Sequence, residues 1–373
     1  MKEDEADMAD GRTMFYTPER FAREQTQRMV SLRGRLLIAG CTSGTHLSTS
    51  IVERYRELLA ESGSEDNLLH MENIDRRFSD TETVVRLGMH VGGYDVFLVQ
   101  ALFDPTSDIT VDQNYMAFLS AARAFRENGA NHVTGILPYL AYARQDKPTK
   151  FTREPTTAKL MAELSTTAGI DRLIVWDPHC DQIRGFYGAI PVDMLESLTL
   201  FIDEFQRFKG RDDVIAVAPD AGASKFVTHF SRALGIKSAI ASKYRPEPEK
   251  VVISEIIGDF AGKKVAVVLD DMISGAGTMF ELVKKLVEEK GIEEVYIGAS
   301  HNLCVGRACE RLEAMRNDYC LKQLVVTNSI PQTEQFHSLP SVKVCCLSDA
   351  LARTINRVHY HRSVSEVFYR PSK

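Results

Sequence analysis

Two adjacent aspartates, Asp270 and Asp271, close the uncharged run Val265-Ala-Val-Val-Leu269, and the small residues Ser274, Gly275, Ala276 and Gly277 follow before Thr278. Small residues let a backbone approach a ligand, and free N–H groups at a helix start bind anions, so this stretch has the chemistry of a phosphate cradle. Thr278 is the expected cap of a helix whose apolar positions Met279, Leu282, Val283, Leu286 and Val287 keep the 3.6-residue period. The paired carboxylates would repel a phosphate and call instead for a metal ion or a sugar diol. Phosphate on the loop and hydroxyls on the carboxylates together describe a ribose 5-phosphate. The plain alternative is a Gly-rich strand–helix turn.

Five further clusters must be explained with it. Arg144, Gln145 and Asp146 follow the apolar run 133–137. They offer a forked cation and an amide, suited to polyphosphate and a base edge, or else form a solvated loop. Asp177 and His179 stand two apart past Trp176, a spacing that could hold a divalent cation jointly. Asp220, Gly222 and Lys225 repeat the geometry of the first loop as a second anion site, shaped for pyrophosphate. Lys243 and Arg245 project to one side of an extended chain, toward charge developing on a transferring phosphoryl group. Arg77, Phe78, Asp80 and Glu82 form a polar loop in which a Phe more often anchors the loop than stacks on a base.

The elements that position these residues alternate. Strands are expected at 36–39, 83–87, 96–99, 133–137, 172–176, 214–218, 238–241, 265–269, 294–297, 323–326 and 342–345. Helices are expected at 47–61, 112–128, 156–168, 199–208, 223–234, 279–290, 306–315 and 348–357. That order argues βαβ units and mainly parallel sheets covered on both faces, with ligands at the carboxyl ends of the strands. Residues 1–12 carry five acidic groups and little to bury, and Thr17-Pro18 opens a short charged helix to about Leu32. A seam near 190–198 marks a domain boundary in a chain of 373 residues, too long for one core.

Hydrophobic content of 44% and charged content of 26% fit a soluble globular α/β protein. A net charge of −6 gives no reason to expect nucleic acid, and no apolar run is long enough for a bilayer. The acidic N-terminus does not read as a signal peptide. Seven cysteines (41, 180, 304, 309, 320, 345 and 346) without CxxC spacing suggest reduced thiols in the cytoplasm.

In this order YARQD, D-x-H, PDAG, K-x-R and the DD…GT loop resemble the phosphoribosyl pyrophosphate synthetases, also called ribose-phosphate diphosphokinases, from about Leu36 to Phe368. The resemblance implies two domains of type I phosphoribosyltransferase fold, at 35–195 on the ATP side and 196–346 on the ribose 5-phosphate side. An extension, 1–34, precedes them, and a tail, 347–373, packs back on the first. It implies that ATP gives its pyrophosphoryl group to O1 of ribose 5-phosphate, with Mg²⁺, in a homo-oligomer built from dimers, possibly a hexamer. Phe78, Asp80 and Glu82 match an adenine-binding loop supplied by a neighbouring subunit, and Arg144, Gln145, Asp146 and His179 complete the ATP site. Asp177, His179 and Asp220 are the implied metal neighbours. Asp220, Gly222, Asp270, Asp271, Ser274, Gly275, Ala276, Gly277 and Thr278 would hold the sugar phosphate, with Lys243 and Arg245 stabilising the transition state. Many members carry an acidic residue and Thr where this chain has Ser274 and Gly275. Positions that hold Ser and Arg in phosphate-activated members hold His90 and Gly92 here, whereas Arg153 and Ser363-Val-Ser365 match. The alternatives are a phosphoribosyltransferase that consumes the product, a synthetase-associated regulatory subunit of the same fold, and a nucleotide-binding structural protein, which leaves the second phosphate cradle unexplained. The first gives no reason for YARQD or the D-x-H site, and the second would be expected to have lost Lys243, Arg245, His179 or Arg144.

Overall fold

The computed structural model describes residues 17, 18, 30–64, 68–247 and 250–368. The expected acidic segment 1–12 and most of the helix from Thr17 lie outside the described residues. The end of that helix is corrected: Val30–Ser31 is a short strand, β1, which pairs antiparallel with β2 (Gly34–Gly40).

From β2 the chain runs through α1 (Thr45–Glu61), β3 (Leu69–Met71), the hairpin β4 (Asp75–Arg77) and β5 (Thr83–Val85), and β6 (Tyr94–Val99). It continues through α2 (Val111–Glu127), β7 (His132–Leu137), α3 (Thr157–Ala168), β8 (Arg172–Trp176) and β9 (Val192–Leu195). The strand expected at 83–87 is therefore one arm of a separate two-stranded hairpin, and the seam residues 192–195 form the last strand of the first sheet. That sheet has the order β1-β2-β6-β7-β8-β9, with β3 also beside β2, and all its pairs except β1–β2 are parallel.

The second half comprises α4 (Leu198–Glu204), β10 (Val214–Ala218), α5 (Ser224–Leu234), β11 (Lys237–Glu247), β12 (Lys250–Ile257) and β13 (Val265–Ile273). After these come α6 (Gly277–Glu288), β14 (Glu294–Asn302), α7 (Ala308–Asp318), β15 (Leu321–Thr327), α8 (Glu334–His337) and β16 (Val342–Cys345). The strand order is β12-β11-β10-β13-β14-β15-β16, parallel except for β11–β12. The order reverses between β10 and β13, and crevices at such switch points in open α/β sheets take ligands.

Burial explains why these runs are strands. Every residue of β10 is buried, and β13 is buried from Val265 through Leu269, as expected of strands covered on both faces. α2 begins with a reciprocal cap, Thr110 accepting from Gln113 N while the Gln113 side chain accepts from Thr110 N.

The chain then returns to the first domain. α9 (Ser348–His359) lays Leu351, Ala352, Ile355 and Val358 against Ile51, Val52 and Tyr55 of α1, and the short α10 (Ser365–Phe368) follows. At the end of α9 the buried His359 meets Asp95 of β6 at 2.8 Å, and Arg33 meets the same carboxylate at 3.0 Å. A buried charge needs partners of this kind. Both ends of the described chain are thus tied to the strand β6.

Candidate active site

β13 does not stop at the paired aspartates. It continues to Ile273, with Asp270 paired to Ala299 and Met272 to His301 of β14. The helix cap is also corrected: α6 starts at Gly277, its N-cap is Ala276 in the left-handed region at φ 56°, and Thr278 lies inside the first turn. No side chain caps that helix start, which leaves its first-turn N–H groups facing outward. The loop is pinned from behind, because Leu303 N donates to Ile273 O at 2.8 Å and Val305 N to Ser274 O at 3.2 Å. Arg311 of α7 donates through Nη1 to Gly275 O.

The two aspartates differ in state. Burial, then the charges of Asp271 and Asp220, push the Asp270 carboxyl well above the ordinary carboxylate range. Burial also acts to raise Asp271, but His179 outweighs it and holds Asp271 below that range. His179 Nδ1 lies 2.6 Å from Asp271 Oδ2, and this bond raises the imidazole pKa. A residue of the first domain is thereby paired with one of the second.

His179 is presented by a tight turn in which Asp177 (φ 39°) and His179 (φ 52°) both adopt left-handed backbone, a conformation that non-glycine residues hold at a cost. The same turn positions Asp177, the residue expected beside the metal. Its Oδ2 accepts from Ser197 N at 3.0 Å and from the Ser300 hydroxyl, so protein donors already engage the carboxylate at the joint between domains. Burial raises the Asp177 carboxyl to about 6. His301, buried and held toward its neutral form by desolvation, lies with Nε2 3.1 Å from Asp177 O and Nδ1 2.8 Å from Ser329 Oγ.

The loop after β10 differs from the expected pyrophosphate cradle. Asp220 Oδ1 accepts from Gly222 N at 2.7 Å and Ala223 N at 3.2 Å, so its own carboxylate occupies the place of an anion. Its other oxygen bonds Lys243 Nζ. Burial would raise Asp220, but Lys243 and the two N–H groups hold it below the usual range. Lys225, expected near this anion site, lies 3.6 Å from Asp181 instead. β11 carries the chain through Lys243 to Arg245, whose side chain lies outside the described residues.

Arg144 and Gln145 are exposed, and Asp146 Oδ2 accepts from Gln182. Arg144 and Asp146 are close enough to bear on His179, and Arg144 and Asp271 both bear on Tyr139, whose phenol is raised chiefly by burial. One constellation therefore gathers Arg144, Asp146, His179, Asp271, Asp270, Asp220 and Lys243. Phe78, Asp80 and Glu82 stand apart at the tip of the β4–β5 hairpin, where Phe78 is 51% exposed and so does not anchor the loop. Phe78 N donates to Glu82 O at 2.9 Å and Glu82 N to Asp80 Oδ1 at 3.1 Å, which fixes the tip.

Among the described residues no three His, Cys, Asp or Glu side chains converge as a ready cation site. The donors that fit a cation brought with a polyphosphate are the oxygens of Asp220 and Asp270, the second raised by burial first and then by the charges of Asp271 and Asp220. A cavity of about 1030 Å³ between α1, α4, β16 and α9 is lined in part by Tyr55, Trp176, Lys343 and Arg353 and holds none of these residues.

Sequence reasoning missed Tyr139, Ser197, Ser300, His301 and Arg311. Ser300-His301-Asn302 carried a usable signal, a polar triplet at the carboxyl end of a buried strand. Arg311 carried none, because an arginine in a helix of charged residues looks like a solvated face.

Residues 36–169 match the family described as the N-terminal domain of ribose phosphate pyrophosphokinase, and residues 222–369 match the phosphoribosyl synthetase-associated domain. A ribose-phosphate pyrophosphokinase of Fusobacterium nucleatum is 37% identical over 295 residues, 79% of this chain and 89% of its own. Ribose-phosphate pyrophosphokinase A of Dictyostelium discoideum is 35% identical over 84% of this chain and 95% of its own. The crystal structure of phosphoribosylpyrophosphate synthetase from Mycobacterium smegmatis superposes with a TM-score of 0.74 at 29% identity, covering 87% of this chain and 98% of that one. Two mainly parallel α/β domains and relatives aligned over most of their length lead to one conclusion: the chain belongs to the ribose-phosphate pyrophosphokinase family.

Proposed function

We propose that the protein is an active ribose-phosphate diphosphokinase working in the cytoplasm. O1 of ribose 5-phosphate attacks the β-phosphorus of ATP, the bond from that phosphorus to the AMP oxygen breaks, and the O1 proton is released. The observation that carries the reading is the meeting of the two domains at one point, His179 against Asp271 at 2.6 Å, with Lys243 and Asp220 close to Asp270. Transfer of this kind needs alignment and charge neutralisation more than covalent help. The open N–H groups at the start of α6 suit the 5-phosphate, and Asp270 and Asp271 suit the ribose hydroxyls. Mg²⁺ brought with ATP would supply charge neutralisation on the polyphosphate. Asp220 and His179 face that role from the protein, and Lys243 and Arg245 offer cations to the group in flight.

The reading makes two changes necessary in catalysis. The Lys243 ammonium must leave Asp220 for the phosphoryl oxygens, and Asp271 must exchange His179 for a hydroxyl. Release of AMP from ATP and ribose 5-phosphate with Mg²⁺ is the direct test. Lys243→Ala is expected to lower that turnover by ~10²–10³-fold while the protein stays folded. A variant with near-wild-type kcat would remove Lys243 from the mechanism, and wild-type protein that releases no AMP would overturn the activity.

An exposed aromatic at a hairpin tip, away from the central constellation, supports an adenine site completed by a second copy of the chain in a dimer-based homo-oligomer. Mixing Phe78→Ala with Lys243→Ala protein after subunit exchange is then expected to restore part of the activity that each lacks alone. No restoration would mean that each subunit is self-sufficient. Seven unpaired cysteines support a reducing location. Among the described residues no helix is long and apolar enough to cross a membrane.

A further inference from the structure

Arg311 stands beside the loop 274–278, on the first turn of α7. Its Nη1 donates to Gly275 O, a β-carbon added at Gly275 would lie 3.4 Å from that nitrogen, and one added at Gly277 would lie 3.5 Å from it. The guanidinium therefore lies against the side-chain-free face of the loop at both glycines. The side chain is half-buried, and among the described residues no carboxylate is placed to form an ion pair with it.

This is an unfavourable place for a lone cation. The start of α6 is the positive end of a helix dipole, and a guanidinium beside it meets charge of its own sign. A hydrogen bond to one carbonyl uses one of the five N–H groups of the fork and relieves little of that repulsion. An anion seated on the loop would relieve it, meeting first-turn N–H groups from one side and the guanidinium from the other. The loop itself contributes only Ser274, two glycines, Ala276 and Thr278 and has no charge of its own.

We infer that Arg311 is a positioning and affinity residue for the 5-phosphate of the sugar substrate, supplying the positive charge that the Ser274–Gly275 loop lacks. The inference rests on the diphosphokinase reading for the identity of the sugar phosphate. Two elements separated in sequence then build the phosphate site.

The test measures binding of ribose 5-phosphate to the full chain by calorimetry without ATP, beside the AMP-forming assay. Arg311→Met is expected to weaken ribose 5-phosphate binding by ~10–100-fold, the loss typical of one charged hydrogen bond. The KM for ATP should change by no more than ~2-fold and kcat should be retained. Arg311→Lys should recover part of the affinity. Wild-type binding should tighten as the phosphate loses its second proton near pH ~6, and Arg311→Met should flatten that dependence, which a merely structural role would not do. Unchanged sugar-phosphate affinity, or equal losses for both substrates together with a lower Tm, would overturn the assignment. Wild-type protein that binds ribose 5-phosphate but forms no AMP would sink the catalytic reading and still leave Arg311 to be judged by the binding arm.

Discussion

Asp177 and His179 are two residues apart, yet their environments separate their roles. The Asp177 carboxyl has a reference value of 3.8 and is raised to about 6 in the fold, so the folded protein holds a proton there that the unfolded chain has lost. Stability from this group falls as pH rises between those values. An asparagine does not titrate and can still accept from Ser197 N and Ser300. Asp177→Asn is therefore expected to gain in Tm relative to wild type from pH ~4 to ~6 and to hold that gain above. Asp177→Ala leaves both donors unanswered and is expected to cost ~1–3 kcal/mol in urea unfolding. Loss of metal-dependent activity in a well-folded Asp177→Asn would mark it as a metal neighbour. The sign runs differently for the His179–Asp271 pair. The raised imidazole makes the contact fade as pH climbs through its folded pKa, and the lowered carboxyl makes it fade as pH falls through its own. A scan of Tm against pH for wild type and His179→Gln should show the largest difference between those two limits and convergence above the upper one.

At the scale of elements, close approach of backbone sets several turns. A β-carbon on Gly44 would lie 2.4 Å from Val99 O and 2.7 Å from Gln100 Cα, both main-chain atoms that cannot step aside. Gly44→Ala is expected to destabilise by at least ~1–3 kcal/mol, read as a lower urea midpoint with unchanged m. The helices were legible in the sequence to within a few residues, as with 156–168 against the observed Thr157–Ala168, because one-sided burial writes itself as a 3.6-residue period. The strands were legible where both faces are buried and illegible where they run on through polar residues. β13 extends past Leu269 and β14 past Ile297 because their backbones remain paired, and pairing leaves no trace in side-chain hydropathy. β9 read as a seam, and β12 was not seen although Val251, Val252, Ile253, Ile256 and Ile257 give it a strand's β-branched composition. Of the site, the catalytic residue types at strand ends were legible. Which carboxylate bonds which cation was not, since Asp220–Lys243 and Asp271–His179 are contacts between distant segments.

For the whole molecule, the return of α9 makes the first domain depend on the end of the chain. Leu347, Leu351, Ala352, Ile355 and Val358 are buried against α1 and the strands beneath it. Truncation after Cys346 is expected to expose this face, lower Tm and raise binding of a hydrophobic dye. The joint between the domains has an optical consequence as well. Trp176 is the single tryptophan of the chain, is 2% exposed, and donates through Nε1 to Ser197 Oγ at 2.6 Å. Ser197 Oγ in turn lies in hydrogen-bond contact with Ser300 Oγ of the second domain, at 2.8 Å. The protein thus carries one tryptophan fluorophore, linked by two hydroxyls to the joint between the domains. Its emission maximum is a label-free gauge of whether ATP, ribose 5-phosphate or both together turn one domain on the other.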